Sequence, residues 1–172
     1  MALPVLYAER LLGGGEIGLV VAGQKKIVKL RYNLNACVVD ITQTKTLPCV
    51  KKKKKHYLHI LHDRQHYCLL VTLSDNVLFN SFGLRDMTSG PFIKWCSGQI
   101  KLVFWNHRRL QRPTTLTCGF WTLAFAQAVS VLNKKNPNVK CCIQMEHAYR
   151  YIHNLCDTCI NCRLFVKRNA VT

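Results

Sequence analysis

The segment from Gln111 to Gly119 carries the residues of this chain best suited to chemistry. Cys118 lies at the first turn of the very apolar stretch Phe120 to Leu132, which predicts a helix buried on all sides that begins at the thiol. Unpaired backbone N–H groups and the positive end of the helix dipole favour the thiolate there, which is the nucleophilic form. The amide of Gln111, seven residues upstream, can donate to an oxyanion. Together these residues indicate cysteine-based acyl transfer.

A thiol nucleophile also needs a base and a group that orients the base. His66 opens a predicted buried strand, and Asn80 ends the strand that returns after a turn at Ser74 to Asn76. The outer ends of such a hairpin lie at one end of the sheet. We therefore expect His66 to take and return the proton of Cys118, and Asn80 to hold the imidazole in one tautomer. The backbone N–H of Cys118 would join Gln111 in binding the oxyanion.

These residues resemble the adenovirus-type cysteine protease (adenain) family, which is distantly related to proteases of ubiquitin-like proteins. The resemblance covers roughly residues 27–132 and follows the family order of histidine, acid, glutamine and cysteine. The matching segments are His66-Tyr67, Phe79 to Gly83 against the family's Phe-Glu-Pro-Phe-Gly, Gln111-Arg112-Pro113 followed after four residues by Cys118-Gly119, and Asn35 to Val39. Asn80 replaces the family's acidic residue, and Tyr67 replaces its usual tryptophan.

The resemblance implies an α+β, papain-like fold with a central mixed sheet and a buried helix starting at the nucleophile. It implies a viral endopeptidase, located in the virion and host nucleus, that cleaves virion precursor proteins at Gly-Gly-type sites. The implied catalytic set is His66, Asn80, Gln111 and Cys118. An amide at position 80 orients the imidazole, as in papain-like proteases that use asparagine, but it supplies no negative charge.

The family's activators are viral DNA and a short viral peptide that can form a disulfide with the enzyme. No cofactor is required for the chemistry. Cys96 is nearest in relative position to the family's peptide-linking cysteine, but its spacing to Gln111 does not match, so that role is not transferred. Leu11 to Gly15 resembles family substrates, which leads to the hypothesis of self-cleavage after Gly14. The alternative is an ordinary flexible loop.

Other polar residues compete for roles in the site. Asp75 and Asp86 are rival orienting groups, but Asp75 lies at the predicted hairpin tip and Asp86 lies beyond the matched motif, so Asn80 ranks first. Three more histidines precede the predicted strand and are interpreted as surface or nucleic-acid contacts: His56, His59 and His62.

Length and composition fit one domain, residues 1–172, with a sizeable core and 49% apolar residues. The mixed order of predicted strands and helices favours an α+β fold. No run of 18 apolar residues suggests a membrane span, and the first ten residues do not resemble a signal peptide. Ten cysteines without a leader then indicate a reducing compartment. We expect a monomer.

The charge balance is strongly basic, with 25 Lys+Arg against 8 Asp+Glu, a net charge of +17. Nucleic acid is the first candidate partner, an acidic membrane surface the second, and a merely soluble basic surface the third. The run Lys51, Lys52, Lys53, Lys54 and Lys55 predicts a solvated loop and a candidate site for non-specific DNA or nuclear localisation. Contacts to DNA phosphates would be insensitive to base sequence and sensitive to salt.

The remaining segments give weaker predictions. Residues 1–25 are predicted to be rich in loops, and a basic helix or loop within Lys25 to Val39 leads into a strand at Ala36 to Ile41. A further strand is predicted at Gln99 to Trp105, and the buried helix ends at Asn133 to Asn138. The short C-terminal region, residues 133–172, has a predicted strand or short helix around His147 to Leu155.

Cys156, Cys159 and Cys162 have a spacing that suits one edge of a zinc site. His153 or Cys142 would supply a fourth ligand, and free thiols are the alternative. Two other functions also stay open. A protease of ubiquitin-like proteins shares the catalytic order. A non-catalytic basic nucleic-acid-binding protein would account for the charge, but not for the match from Gln111 to Cys118.

Overall fold

The computed structural model describes residues 27–29, 35–47, 58–72, 75–102, 104–111, 118–135, 137–153 and 165–167. In this part of the chain, strands form one mixed sheet whose spatial order follows the sequence. The strands are β1 (Ile27–Lys29), β2 (Asn35–Asp40), β3 (Leu58–His62), β4 (Tyr67–Thr72), β5 (Asn76–Phe79), β6 (Phe104–Asn106) and β7 (Phe165–Lys167). Neighbours β2/β3 and β5/β6 are parallel, and the other pairs are antiparallel.

Three helices accompany the sheet in the described residues: α1 (Gly90–Ser97), α2 (Cys118–Lys135) and α3 (Cys141–His153). A 3-10 turn, Met87–Ser89, precedes α1. The predicted helix from Phe120 to Leu132 is confirmed as part of α2, which is buried on nearly all sides. The architecture is α+β, as predicted. None of the helices in the described ranges is long and apolar enough to cross a membrane.

The central strands are covered on both faces. Alternate residues of β3, β4 and β5, such as Ile60, Leu69 and Phe79, pack against α2, where the rings of Phe79 and Phe125 stack at 4.1 Å. The intervening residues, such as Leu70 and Leu78, pack against Phe92 and Cys96 of α1. Burial on both faces explains why β4 reads as a continuous apolar run rather than an alternating one.

The predicted hairpin from His66 to Phe82 is confirmed as β4 and β5, with Leu69 opposite Phe79 and Thr72 opposite Asn76. This register places the turn between Thr72 and Asn76. His66 immediately precedes β4 and Asn80 immediately follows β5, so the two are diagonal rather than opposite. The hairpin therefore brings both residues to one end of the sheet.

Three sequence predictions need correction. His59 and His62 are not surface contacts, because they belong to the interior strand β3 and are only 3% and 8% exposed. Of the strand predicted at Gln99 to Trp105, Phe104 and Trp105 belong to β6, whereas the backbone N–H groups of Gln99 and Ile100 bond the Cys96 carbonyl at the end of α1. The segment predicted as a helix or loop before β2 contains β1.

Candidate active site

The core of the candidate site is a direct hydrogen bond between the two hairpin ends. His66 Nε2 lies 2.7 Å from Asn80 Oδ1. The same amide oxygen accepts the backbone N–H of Phe82 at 3.0 Å. Since a backbone nitrogen only donates, the Asn80 atom that faces His66 is the oxygen. Nε2 therefore carries a hydrogen, and Nδ1 is the nitrogen of the neutral ring that can accept a proton.

Asn80 is completely buried and is held by its backbone as well as its side chain. Its N–H donates to Asn106 Oδ1 at 2.9 Å, and its carbonyl accepts from Asn106 Nδ2 at 2.6 Å. Its own Nδ2 donates to Thr88 Oγ1 at 3.1 Å and to Ser89 Oγ at 2.6 Å. Asn106, Thr88 and Ser89 were not predicted from the sequence, although each is a polar residue beside an apolar segment.

The turn before β4 fixes the position of His66. Asp63 Oδ1 accepts the backbone N–H groups of Gln65 at 3.0 Å and of His66 at 2.8 Å, around Arg64 with a left-handed φ of 74°. The imidazole then stacks on Phe82, with centroids 5.2 Å apart and planes 9° apart. These contacts fix the ring plane at the same time as Asn80 fixes the tautomer.

Burial makes His66 a poor cation. It lowers the pKa of His66 below its ordinary value of 6.5, whereas the hydrogen bond to Asn80 and the charges of Asp63 and Asp86 act in the opposite direction without compensating. The ring is therefore neutral at pH 7. A neutral ring with Nδ1 unprotonated is the form that a general base requires.

Cys118 is the first residue of α2, which confirms the predicted position of the thiol at a helix start. Burial raises the pKa of Cys118, although backbone hydrogen bonds from Tyr67, Gly119 and Cys118 itself lower it in part. The helix start thus has the expected effect on the thiol, but burial outweighs it. Tyr67, the residue after His66, is close enough to Cys118 for its backbone to lower the thiol pKa, so the thiol and the histidine lie at the same end of the sheet.

Gln111 is buried, with 2% of its surface exposed, and is hydrogen-bonded to Ser81, the residue after Asn80. Its Oε1 accepts a hydrogen bond from Ser81 Oγ at 2.6 Å. The carbonyl of Ser81 also accepts the backbone N–H groups of Leu110 and Gln111 at 2.8 and 2.9 Å. Ser81 was missed from sequence, since its partners lie about thirty residues away.

A tight loop, residues 80–89, encloses the end of the sheet. Gly83 has a φ of 85°, and a Cβ there would lie 3.0 Å from the carbonyl oxygen of His107. A left-handed conformation and this close approach both favour glycine. The Gly83 N–H donates to Asn80 O at 2.8 Å, so the loop returns directly onto the site.

Asp75 and Asp86, the two alternatives to Asn80 for orienting His66, lie in different parts of the structure. Asp75 lies at the hairpin turn, 3.9 Å from the thiol of Cys142. Asp86 is close enough to His66 for its charge to affect the imidazole, although it makes no direct bond to the ring among the described residues. Asn80 is the residue that bonds His66 directly.

Several predicted sites lie outside the described residues: Gly14, His56, the five lysines at 51–55, and the cysteines at 156, 159 and 162. His153 is the last residue of α3. Within the described ranges, no group of three or more His, Cys, Asp or Glu residues is arranged to hold a metal ion. The proposed lysine and zinc sites stay predictions.

Comparison of the chain with models of protein families, with curated proteins and with solved structures finds no match.

Proposed function

We propose that this chain is a viral cysteine endopeptidase of the adenain type, with a papain-like arrangement of its sheet and its α2 helix. The observation that carries the proposal is the 2.7 Å bond between His66 and Asn80 beside a helix that begins at Cys118. A buried amide that fixes an imidazole tautomer next to a thiol has a direct use in acyl transfer. The buried amide of Gln111, a candidate donor to an oxyanion, also supports acyl transfer.

The chemistry follows from the protonation states. His66 Nδ1 takes the thiol proton as Sγ attacks the substrate carbonyl, and the resulting imidazolium keeps its Nε2–H on Asn80. The oxyanion accepts hydrogen bonds from the Cys118 N–H and the Gln111 amide. The tetrahedral intermediate collapses, the imidazolium protonates the leaving amine, and a thioester remains. Water, deprotonated by His66, then attacks the thioester and releases the acid and the thiol.

The thiol and imidazole need not be bonded before substrate arrives. Backbone groups of Tyr67, Gly119 and Cys118 itself act on the thiol and lower its pKa. Catalytic hydrogen bonds often shorten only when substrate is bound. Substrate in the cleft would replace these contacts and bring Sγ to Nδ1.

The proposed substrates are virion precursor proteins with Gly-Gly-type sites, cleaved in the virion or host nucleus. The net charge of +17 supports stimulation by non-specific DNA, with the five-lysine segment at 51–55 as a proposed contact. A short viral peptide is a second proposed activator. Zinc at the C-terminal cysteines is a weaker proposal and has no part in the chemistry.

A fluorogenic peptide with an apolar residue, any residue and then Gly-Gly before the leaving group tests the proposal. Wild type and Cys118→Ala are compared with and without DNA. We expect turnover by wild type alone, with stimulation by DNA that rising salt removes before the basal rate. Turnover restricted to ubiquitin-like substrates would favour the alternative protease. No turnover under any condition, with DNA still bound, would favour a non-catalytic nucleic-acid-binding protein.

A further inference from the structure

The amide nitrogen of Asn80 connects the candidate site to a carboxylate. Asn80 Nδ2 donates to Thr88 Oγ1 at 3.1 Å, and Thr88 Oγ1 donates to Asp86 Oδ1 at 2.7 Å. With the 2.7 Å bond from His66 to Asn80, a continuous path of hydrogen bonds runs from the imidazole to Asp86.

All donors along this path point the same way. A carboxylate only accepts, so the single hydroxyl hydrogen of Thr88 goes to Asp86 and its oxygen accepts from Asn80. The second Nδ2 hydrogen of Asn80 goes to Ser89, whose hydroxyl donates to the Gly83 carbonyl at 3.1 Å. Hydrogen bonds that share a direction polarise one another, so charge on Asp86 acts on the Nε2–H of His66.

We propose that Asp86 is a positioning residue that acts through Thr88 and Asn80 to hold the His66 ring and to supply the negative charge that an amide lacks. Its catalytic meaning rests on the proposed protease function. The hydrogen-bonded path itself does not.

The groups around His66 fit this role. Asp63 lies in the turn before β4 and Cys118 at the start of α2, whereas α1 presents the uncharged ring of Phe92 at 5.9 Å. Asp86 also pairs with Arg109 at 3.2 Å, and the Arg109 guanidinium lies 5.7 Å from the Phe82 ring that stacks on His66. Arg109 therefore moderates the field of Asp86 without interrupting the path.

Asp86 stays ionised while His66 titrates. Partial burial raises the pKa of Asp86, but hydrogen bonds from the side chain and backbone of Thr88, and the charge of Arg109, lower it overall. An imidazolium formed at His66 therefore always faces a carboxylate at the far end of the path.

The chain contains a matched control for this arrangement. Asp40 Oδ1 accepts Thr42 Oγ1 at 2.6 Å and Thr42 N–H at 2.9 Å, and Asp40 pairs with Arg64 at 3.1 Å. This is the same turn and the same kind of ion pair as at Asp86. The charge of Asp40 acts on His62 rather than on His66.

The test is an NMR titration of the His66 ring in wild type, Asp86→Asn and Asp40→Asn, with the signal assigned by its loss in His66→Gln. We expect Asp86→Asn to lower the His66 pKa by roughly 0.5–1 unit and Asp40→Asn to leave it unchanged. If Asp86→Asn does not fold, Thr88→Val interrupts the path with both charges kept, and Thr88→Ser restores it. Thr88→Val should lower the pKa and Thr88→Ser should not.

Equal His66 pKa values in wild type and in the folded Asp86→Asn variant, or in Thr88→Val, would overturn the proposal. If the protein hydrolyses the peptide, Asp86→Asn should reduce kcat roughly tenfold and leave KM unchanged. It should also move the acid limb of the kcat/KM pH profile to lower pH. If wild type turns over no substrate, the protease function fails, and the NMR titration still decides whether Asp86 acts on His66.

Discussion

The hydroxyl of Ser81 donates a 2.6 Å hydrogen bond to Oε1 of Gln111. Ser81 directly follows Asn80. Asn80 orients His66, and Ser81 holds Gln111, the residue proposed to bind the oxyanion. Fixing Oε1 turns the other end of the amide, which carries the donors, away from Ser81. The orientations of the His66 ring and of the Gln111 amide are therefore coupled through one short segment.

Replacing Ser81 by alanine should lower kcat by about tenfold, because the Gln111 amide loses the bond that sets its orientation. It should also lower the free energy of unfolding by about 1 kcal/mol, because a buried acceptor loses its donor. The backbone bonds of position 81 to Leu110 and Gln111 are kept in this variant. Steady-state kinetics and urea unfolding measure the two effects.

The matched control is Ser97→Ala, which removes a hydroxyl from an exposed residue at the end of α1. It should change neither quantity. Unchanged kcat in a folded Ser81→Ala variant would mean that Ser81 does not position Gln111 for catalysis.

The pH dependence of kcat/KM should show that Cys118 and His66 are both uncharged before substrate binds. Burial raises the pKa of Cys118 and lowers that of His66, so at pH 7 the proton is on the thiol. His66 must be unprotonated to accept it, so kcat/KM should fall with decreasing pH along an acid limb with an apparent pKa below 6.5. The lowered pKa of His66 should extend the activity of the proposed protease toward acidic pH, because it keeps the ring neutral at lower pH.

Alkylation of Cys118 by iodoacetamide gives an independent measure of the same pair. Its rate should keep rising with pH to above the ordinary thiol pKa, since the thiolate is the reacting form and burial disfavours it. Peptide mapping after brief labelling separates Cys118 from the other thiols. A rate nearly constant from about pH 5 to pH 8 would instead indicate a preformed thiolate–imidazolium pair.

Gly83→Ala should lower the free energy of unfolding by about 1–3 kcal/mol, because alanine disfavours a φ of 85° and its Cβ would press on the His107 carbonyl. Gly90→Ala is the control, since nothing lies within 4 Å of a Cβ at that helix start. Urea unfolding of both variants measures the difference. Equal free energies of unfolding for wild type and Gly83→Ala would show that the loop at 80–89 adapts to a side chain at position 83.

The sequence predicted the elements whose signals are local. The apolar run of β4, the turn residues after it and the apolar segment of α2 gave the hairpin, the buried helix and the juxtaposition of His66 with Asn80. By contrast, β3 was missed because its histidines suggested a surface. Its position between β2 and β4 buries them, and His59 Nε2 lies 3.3 Å from Thr72 Oγ1.

The supporting residues of the site could not be predicted in the same way. Asn106 reaches Asn80 from 26 residues away, and Ser81 reaches Gln111 from 30. Both contacts depend on how β6 and the following loop pack beside β5, which no local pattern specifies. Asp86 was ranked below Asn80 because it lies beyond the matched motif. The sequence does not reveal that Thr88 links the two residues.

The proposed nucleophile is tested by the mass of the protein after reaction with an electrophilic peptide that ends in Gly-Gly. An α,β-unsaturated methyl ester in place of the scissile carbonyl captures a thiol held in the cleft, because Sγ adds to its β-carbon, the α-carbon takes a proton, and a stable thioether results. Although the chain has ten cysteines, we expect a single adduct, mapped to Cys118, that is absent in Cys118→Ala and forms far more slowly in His66→Gln. Labelling spread over several cysteines, or labelling of Cys118 that does not depend on His66, would contradict it.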